Sequence, residues 1–287
     1  MKVIVTRPRL EAEAWVKQLQ ALQLDAVALP LIHIGAPADR QAINQAWANL
    51  HQYTAVMFVS SNAVRYFYPA NMPIGAEFTA YAAIKNIVNS QDKTAKPRMW
   101  ATGPGTRDAL LAQAVPIDLI DSPAADAAQF DSETLWNIVK HQVKSGDKVL
   151  IVRGRSFSLK DAESAELAKM NGRPWLADQL TAAGVQVDEI VSYERRAPEF
   201  DAAELALLRE SSADQSIWLF SSSEAVANLC TVSGLVSGSV GGQRWSQARA
   251  IATHSRIAQA ARDAGFGVVY ESRPLLKDVV ASIESLL

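Results

Sequence analysis

VIVTRP at residues 3–8 and LIVRGR at residues 150–155 read as two copies of one element. Each is an aliphatic, β-branched run that closes on an arginine, Arg7 in the first copy and Arg153 in the second, 146 positions apart. The later segments keep the same order in both copies. WVKQLQALQ matches LADQLTAAG with Leu19 on Leu180, and IGAP matches RRAP with Pro37 on Pro198, both 161 apart. AVMFVSSNAV matches SIWLFSSSEAV with Phe58 on Phe220, 162 apart. The step from 146 to 161 requires an insertion in the second copy, the polar stretch around 155–171, expected to be a loop or a short surface helix. Two copies of so long a period are a duplicated fold and not a solenoid.

Within each copy, short β-branched runs alternate with amphipathic stretches. VIVT, AVALPLIHI and AVMFVSS are separated by helical patterns from about Leu10 to Leu22 and from about Ala42 to Leu50. In the first helix Trp15, Leu19 and Leu22 form one apolar stripe while Glu11, Lys17 and Gln18 stay wet. That rhythm predicts an α/β fold with parallel sheets. At 287 residues and 49% hydrophobic, the chain can bury two cores, so the duplication predicts two similar α/β domains with a ligand cleft between them.

Composition narrows the function classes. A formal charge of −2 and a pI near 6.1 give no reason to expect nucleic acid or a membrane surface as partner. The single cysteine, Cys230, excludes an internal disulfide and fits a reducing, cytoplasmic setting; its apolar neighbourhood ANLCTV predicts a buried thiol. No stretch approaches the ~20 apolar residues of a membrane span. His33, His51, His141 and His254 have no ligand-like spacing, so no metal is expected. There is no G-x-S-x-G elbow, and Gly103-Pro104-Gly105-Thr106 is neither a dinucleotide fingerprint, since Asp108 stands where the third glycine belongs, nor a Walker loop. No cofactor is expected. An enzyme with this inventory would hold a reactive substrate in shape and donate a few hydrogen bonds.

The candidate contact residues stand where strands give way to helices. Ser60, Ser61 and Asn62 come after AVMFV, and Ser221, Ser222 and Ser223 come after SIWLF. Gly103, Pro104, Gly105 and Thr106 come after the strand ending at Trp100, and Thr253, His254 and Ser255 hold the matching place in the second copy. Such turns expose backbone N–H groups suited to carboxylate or phosphate. Helix capping alone accounts for any one of them, whereas matched turns in both copies point as much to anion binding. Arg7 and Arg153, at matching strand ends, suit carboxylates through their planar forks, or else serve packing and solubility. A non-catalytic two-domain protein that clamps a small anionic ligand is the alternative to an enzyme.

VIVTRP, LPLIHI, FVSSNAV, ATGPGT, LIVRG, GVQVDEIVSYERR and FSSSEAV, in that order, resemble uroporphyrinogen-III synthase nearly end to end. The resemblance implies two domains joined by antiparallel connecting strands near Ala28–Ile34 and Val187–Arg195. One domain would be discontinuous, residues 1–33 and 196–287, and the other would be the inserted 36–186. It further implies a cytoplasmic enzyme of tetrapyrrole biosynthesis, a hydro-lyase acting on hydroxymethylbilane. The product would be uroporphyrinogen III, formed with loss of water and inversion of the terminal pyrrole. A monomer in transient contact with hydroxymethylbilane synthase is the expected state. The tyrosine of the V-x-x-Y segment maps onto Tyr193, expected to face the cleft; phenols are weak acids near neutrality, so hydrogen-bond donation to the leaving hydroxide is its expected role. Ser60, Asn62, Thr106, Ser221, Ser223 and Ser255 would take substrate carboxylates. Thr253-His254 departs from the Gly-Pro that many family members carry there.

Overall fold

A strand covered on both faces reads as an unbroken apolar run, and Val3–Val5, Ala55–Phe58 and Ile217–Phe220 are buried at every position. The computed structural model describes residues 1–68, 97–124, 127, 130–157, 169–170, 175–237 and 245–286. Its elements begin with β1 (Val3–Val5), α1 (Arg9–Ala21), β2 (Ala26–Ala28), β3 (His33–Gly35), α2 (Gln41–Ala48), β4 (Ala55–Phe58) and α3 (Ser61–Phe67). Next come β5 (Arg98–Ala101), α4 (Pro104–Ala112), β6 (Ile120–Asp121), α5 (Ser132–Val139), β7 (Lys148–Ser156), β8 (Lys169–Met170), α6 (Trp175–Ala182) and β9 (Gln186–Arg196). The last are α7 (Ala202–Ala213), β10 (Ile217–Phe220), α8 (Ser223–Ser237), β11 (Arg249–Ala252), α9 (Ser255–Asp263), β12 (Val268–Glu271) and α10 (Leu276–Glu284).

The described residues divide between two compact units, one from Met1–Ile34 and Arg196–Leu287, the other from Gly35–Phe157 and Glu166–Arg195. The first holds a parallel sheet of order β12-β11-β10-β1-β2, and the second holds β9-β7-β4-β5-β6 with β8 antiparallel on β7; β3, which straddles the division at Ile34, extends the second sheet beyond β9. Laid side by side, β2-β1-β10-β11-β12 and β9-β7-β4-β5-β6 are the same arrangement. Their registers agree residue for residue. Val5 pairs Leu219 as Ile151 pairs Met57, and Phe220 pairs Ala252 as Phe58 pairs Ala101. Val3 pairs Ala26 as Val149 pairs Val187. The offsets of the sequence repeat thus reappear as strand registers, and the α/β class with parallel sheets is the observed one.

Helices cover both faces of each sheet. In the second unit α5 and α6 bury Leu135, Val139, Leu176 and Leu180 against Met57, Trp100 and Ile151. The opposite face carries Phe58, stacked edge-on against Phe67 of α3. In the first unit Ala12 and Leu19 of α1 and Val279 and Ile283 of α10 pack on Val3, Val5 and Leu219. Trp218, Phe220, Trp245 and Phe266 form an aromatic cluster on the other face.

Two expectations are corrected. AVALPLIHI is not one strand: β2 stops at Ala28 and β3 starts at His33, because Pro30 has no N–H to give a ladder. Leu29 and Leu31, both fully buried, instead donate to the backbone oxygens of Val5 and Thr6. Cys230 is exposed, because the inner stripe of α8 runs through Ala225, Val226, Asn228 and Leu229 and leaves position 230 outside. Most of the insertion around 155–171 lies outside the described residues, but its ends are paired, Arg155 with Met170 and Ser156 with Lys169. Among the described residues no helix is long and apolar enough to cross a membrane.

Candidate active site

The carboxyl ends of parallel strands are where loops and helix starts gather the groups available for chemistry. In the second unit Phe58 stands in register with Ala101 and with Val152, so the turns after β4 and β5 and the last residues of β7 are neighbours. Ser60 caps α3. Its oxygen accepts from the Ala63 N–H at 3.1 Å, which leaves its own proton for the Tyr193 hydroxyl at 3.2 Å. Ser61 and Asn62 come next, half-buried, with the Asn62 side-chain oxygen accepting from Arg65 at 3.4 Å.

Tyr193 departs from the open position expected of it. The residue is 3% exposed, and its ring lies against Tyr66 with centroids 6.3 Å apart. Burial pushes the Tyr66 phenol above its ordinary pKa. Thr106 is buried, 3.5 Å from the Thr102 hydroxyl, which donates to the Val59 carbonyl at 3.2 Å. The two threonines thereby tie the β5 turn to the β4 turn. Gly103 caps α4 with Pro104 as the first helical residue. A Cβ on Gly103 would meet Phe130 at 3.1 Å, so its closeness serves packing, whereas around Gly105 nothing lies within 4 Å.

Arg153 faces the α5 and α6 side of the sheet, where it shares a cavity with Thr102. It is 5% exposed and its guanidinium donates to Glu189 at 2.5 Å. The cavity, of about 400 Å³, is also lined by Met57, Leu176 and Glu189, and Asp131 and Glu133 make that lining acidic on balance.

In the first unit the matching arginine, Arg7, lies over the Trp15 ring at 4.4 Å and pairs with Glu11 at 3.6 Å. Burial pulls its guanidinium below the ordinary value, and Glu11 opposes that. Arg7, Ser221 and Thr253 line a small cleft in the same place in the fold as the Arg153 cavity. Ser222 accepts from the Glu224 N–H at 3.2 Å, and Ser223 begins α8. Ser255 is exposed at the start of α9. His254 caps that helix, its Nδ1 accepting from the Arg256 N–H at 3.1 Å, which is how the chain accommodates the departure from Gly-Pro. The counterpart of Thr106 is Ile257 and that of Tyr193 is Ile32, both buried. Among the described residues, only the second unit therefore carries a phenol beside the hydroxyl turn.

Sequence reasoning missed Thr102, Tyr66, Glu189 and Gly154, whose Cβ space the Tyr193 ring occupies. The pair Thr102 and Thr253 was available from the repeat, and a glycine inside a strand signals close approach. Nothing in the sequence marked Tyr66 or the Glu189 partner of Arg153. Among the described residues no group of three or more His, Cys, Asp or Glu side chains could hold a metal ion.

A family model described as uroporphyrinogen-III synthase HemD matches residues 13–281. A uroporphyrinogen-III synthase of Salmonella typhimurium is 28% identical over 207 residues, 72% of this chain and 70% of that protein. A crystal structure of a mutant uroporphyrinogen III synthase from the extremely thermophilic bacterium Thermus thermophilus is similar over 100% of this chain and 98% of its own. Its TM-score is 0.51 at 15% identity, a likeness of fold.

Proposed function

The chain belongs to the uroporphyrinogen-III synthase family, a family of hydro-lyases of porphyrin biosynthesis, and from that premise we propose that Tyr193 is the hydrogen-bond donor to the departing hydroxyl of hydroxymethylbilane. The observation that carries this reading is the Ser60–Tyr193 contact. Ser60 is committed as acceptor to the Ala63 N–H and gives its proton to the phenol oxygen, so the phenol keeps its own proton to donate. Such a chain of donors strengthens each hydrogen bond in it.

Loss of hydroxide from the hydroxymethyl carbon leaves an electrophile that the pyrrole nitrogens stabilise. The protein has then to steer which carbon of the terminal ring attacks, and a donor fixed in place stabilises the charge that develops on the leaving oxygen. Substrate carboxylates are taken by the strand-end turns of the unit that carries Tyr193, at Ser61, Asn62, Gly105 and Thr106. The protein works as a cytoplasmic monomer that receives its unstable substrate in transient contact with hydroxymethylbilane synthase.

The test is an assay that generates hydroxymethylbilane in place and separates the oxidised type I and type III porphyrins. Type III product from the wild-type protein, with kcat lowered on the order of 10²-fold in Tyr193→Phe, is the expected result. The variant should also lose about 1 kcal/mol of stability, since a buried phenol surrenders its hydrogen bond. Wild-type turnover in Tyr193→Phe would remove the donor role.

A further inference from the structure

β7 and β9 advance in step from Lys148 opposite Gln186 to Arg153 opposite Val191, and then Gly154 faces Tyr193. Ser192 is the extra residue, a bulge in β9. Side chains on a strand alternate, so without the bulge Tyr193 would fall on the side of Glu189, toward Arg153 and the acidic cavity. The extra residue reverses the alternation. Ser192, fully buried, donates to the Ala63 carbonyl of α3 at 3.1 Å, and Tyr193 lands on the same side, where Ser60 and Tyr66 are. Bulges recur beside active sites because they re-aim one side chain without disturbing the rest of the sheet.

The ring then crosses the backbone of β7 at Gly154. A Cβ built there would lie 2.3 Å from Tyr193 Cζ, 2.6 Å from Cε2 and 2.7 Å from Cε1. Gly154 is not among the glycines with positive φ, so its backbone does not call for glycine; the ring does. In the other unit the corresponding position is Pro8 and the residue facing it in the repeat is Ile32, neither part of a phenol site.

We propose that Gly154 is a positioning residue for the reaction: by leaving its Cβ space to the Tyr193 ring, it lets the bulge at Ser192 deliver the phenol hydroxyl to Ser60. The inference rests on the reading of Tyr193 as donor, and its test separates the two. In the type III assay Gly154→Ala should lower kcat about a hundredfold, the loss expected when a reacting group is misplaced by about 1 Å, with KM little changed. Added to Tyr193→Phe, it should cause no further loss of kcat, because the ring it displaces no longer carries the reacting hydroxyl. A folded Gly154→Ala with wild-type kcat beside a slow Tyr193→Phe overturns the positioning role alone, as does a multiplicative loss in the double variant. Wild-type kcat in Tyr193→Phe overturns the donor role and this inference with it. Should Gly154→Ala fail to fold, thermal unfolding of Gly154→Ala/Tyr193→Ala decides. A restored cooperative transition supports the steric seat, and its absence overturns it.

Discussion

Asp188 and Tyr193 belong to one strand, and their surroundings give them opposite work. Asp188, near the start of β9, accepts from the Tyr53 hydroxyl at 2.7 Å and pairs with Lys148 at 2.8 Å. Burial acts to raise its pKa, but the hydrogen bonds from Lys148 and Tyr53 together outweigh it, and the carboxyl sits below the ordinary value. A carboxylate with a depressed folded pKa stabilises the protein above its unfolded value of about 3.9, and that stabilisation disappears as pH falls through the folded value. Asp188→Asn should therefore lower stability at pH 7, by less than about 1 kcal/mol for a pair that is only half-buried. The gap between wild type and variant should close as thermal melts are taken below about pH 4. A gap that stays constant down to pH 2 would deny Asp188 this part. Tyr193 and Ser60 were both legible in the sequence, one from the V-x-x-Y resemblance and the other from its place after a strand. Their meeting was not, because a period-two pattern cannot reveal that Ser192 is surplus to the ladder.

Helix ends repeat as faithfully as strands do, with one chemical difference. After α1 the chain turns through Gln23 at φ 63, and after α4 through Ala114 at φ 60; the matching positions after α6 and α9 are Gly184 at φ 77 and Gly265 at φ 91. All four close the same motif. Leu24, Val115, Val185 and Phe266 each donate back across the last turn, to the carbonyls of Leu19, Leu110, Leu180 and Ala261. The first copy thus holds side-chain-bearing residues in the left-handed region, where a Cβ costs about 1–2 kcal/mol. Ala114→Gly should raise stability by about 1 kcal/mol and Gly265→Ala should lower it by at least as much, read from urea denaturation midpoints. Destabilisation by Ala114→Gly would show that the loss of a freely rotating backbone in the unfolded chain outweighs the relief. The glycine at 184 is a readable stop signal, and Gln23 is not. The same limit explains AVALPLIHI, where apolar content suggests a strand and only Pro30 hints at the break.

The sequence copies and the folded units do not coincide. Reading along the chain, one copy supplies β1 and β2 and then β4, β5 and β6; the other supplies β7 and β9 and then β10, β11 and β12. In space β1 and β2 join β10, while β4 joins β7, so each sheet takes its first pair of strands from one copy and its last three from the other. The duplication was legible from short motifs at constant offsets. Which strands of which copy share a sheet does not follow from the repeat, which specifies an element's neighbours only up to exchange of copies; the family resemblance alone implied a discontinuous domain of 1–33 with 196–287. The exchange makes both sheets depend on distant pairings, Val3 with Ile217 in one and Ala55 with Val149 in the other. A break in the exposed turn between Ser145 and Gly146 would leave each fragment with two incomplete sheets, each cut beside its central strand. Fragments 1–145 and 146–287 should each fail to show a cooperative thermal transition, because neither contains a core it can close alone. Mixed, they should recover both the transition and type III turnover. A cooperative melt from either fragment by itself would mean that one set of strands can satisfy its own edges, and the interleaving would then be a feature of connectivity with no hold on stability.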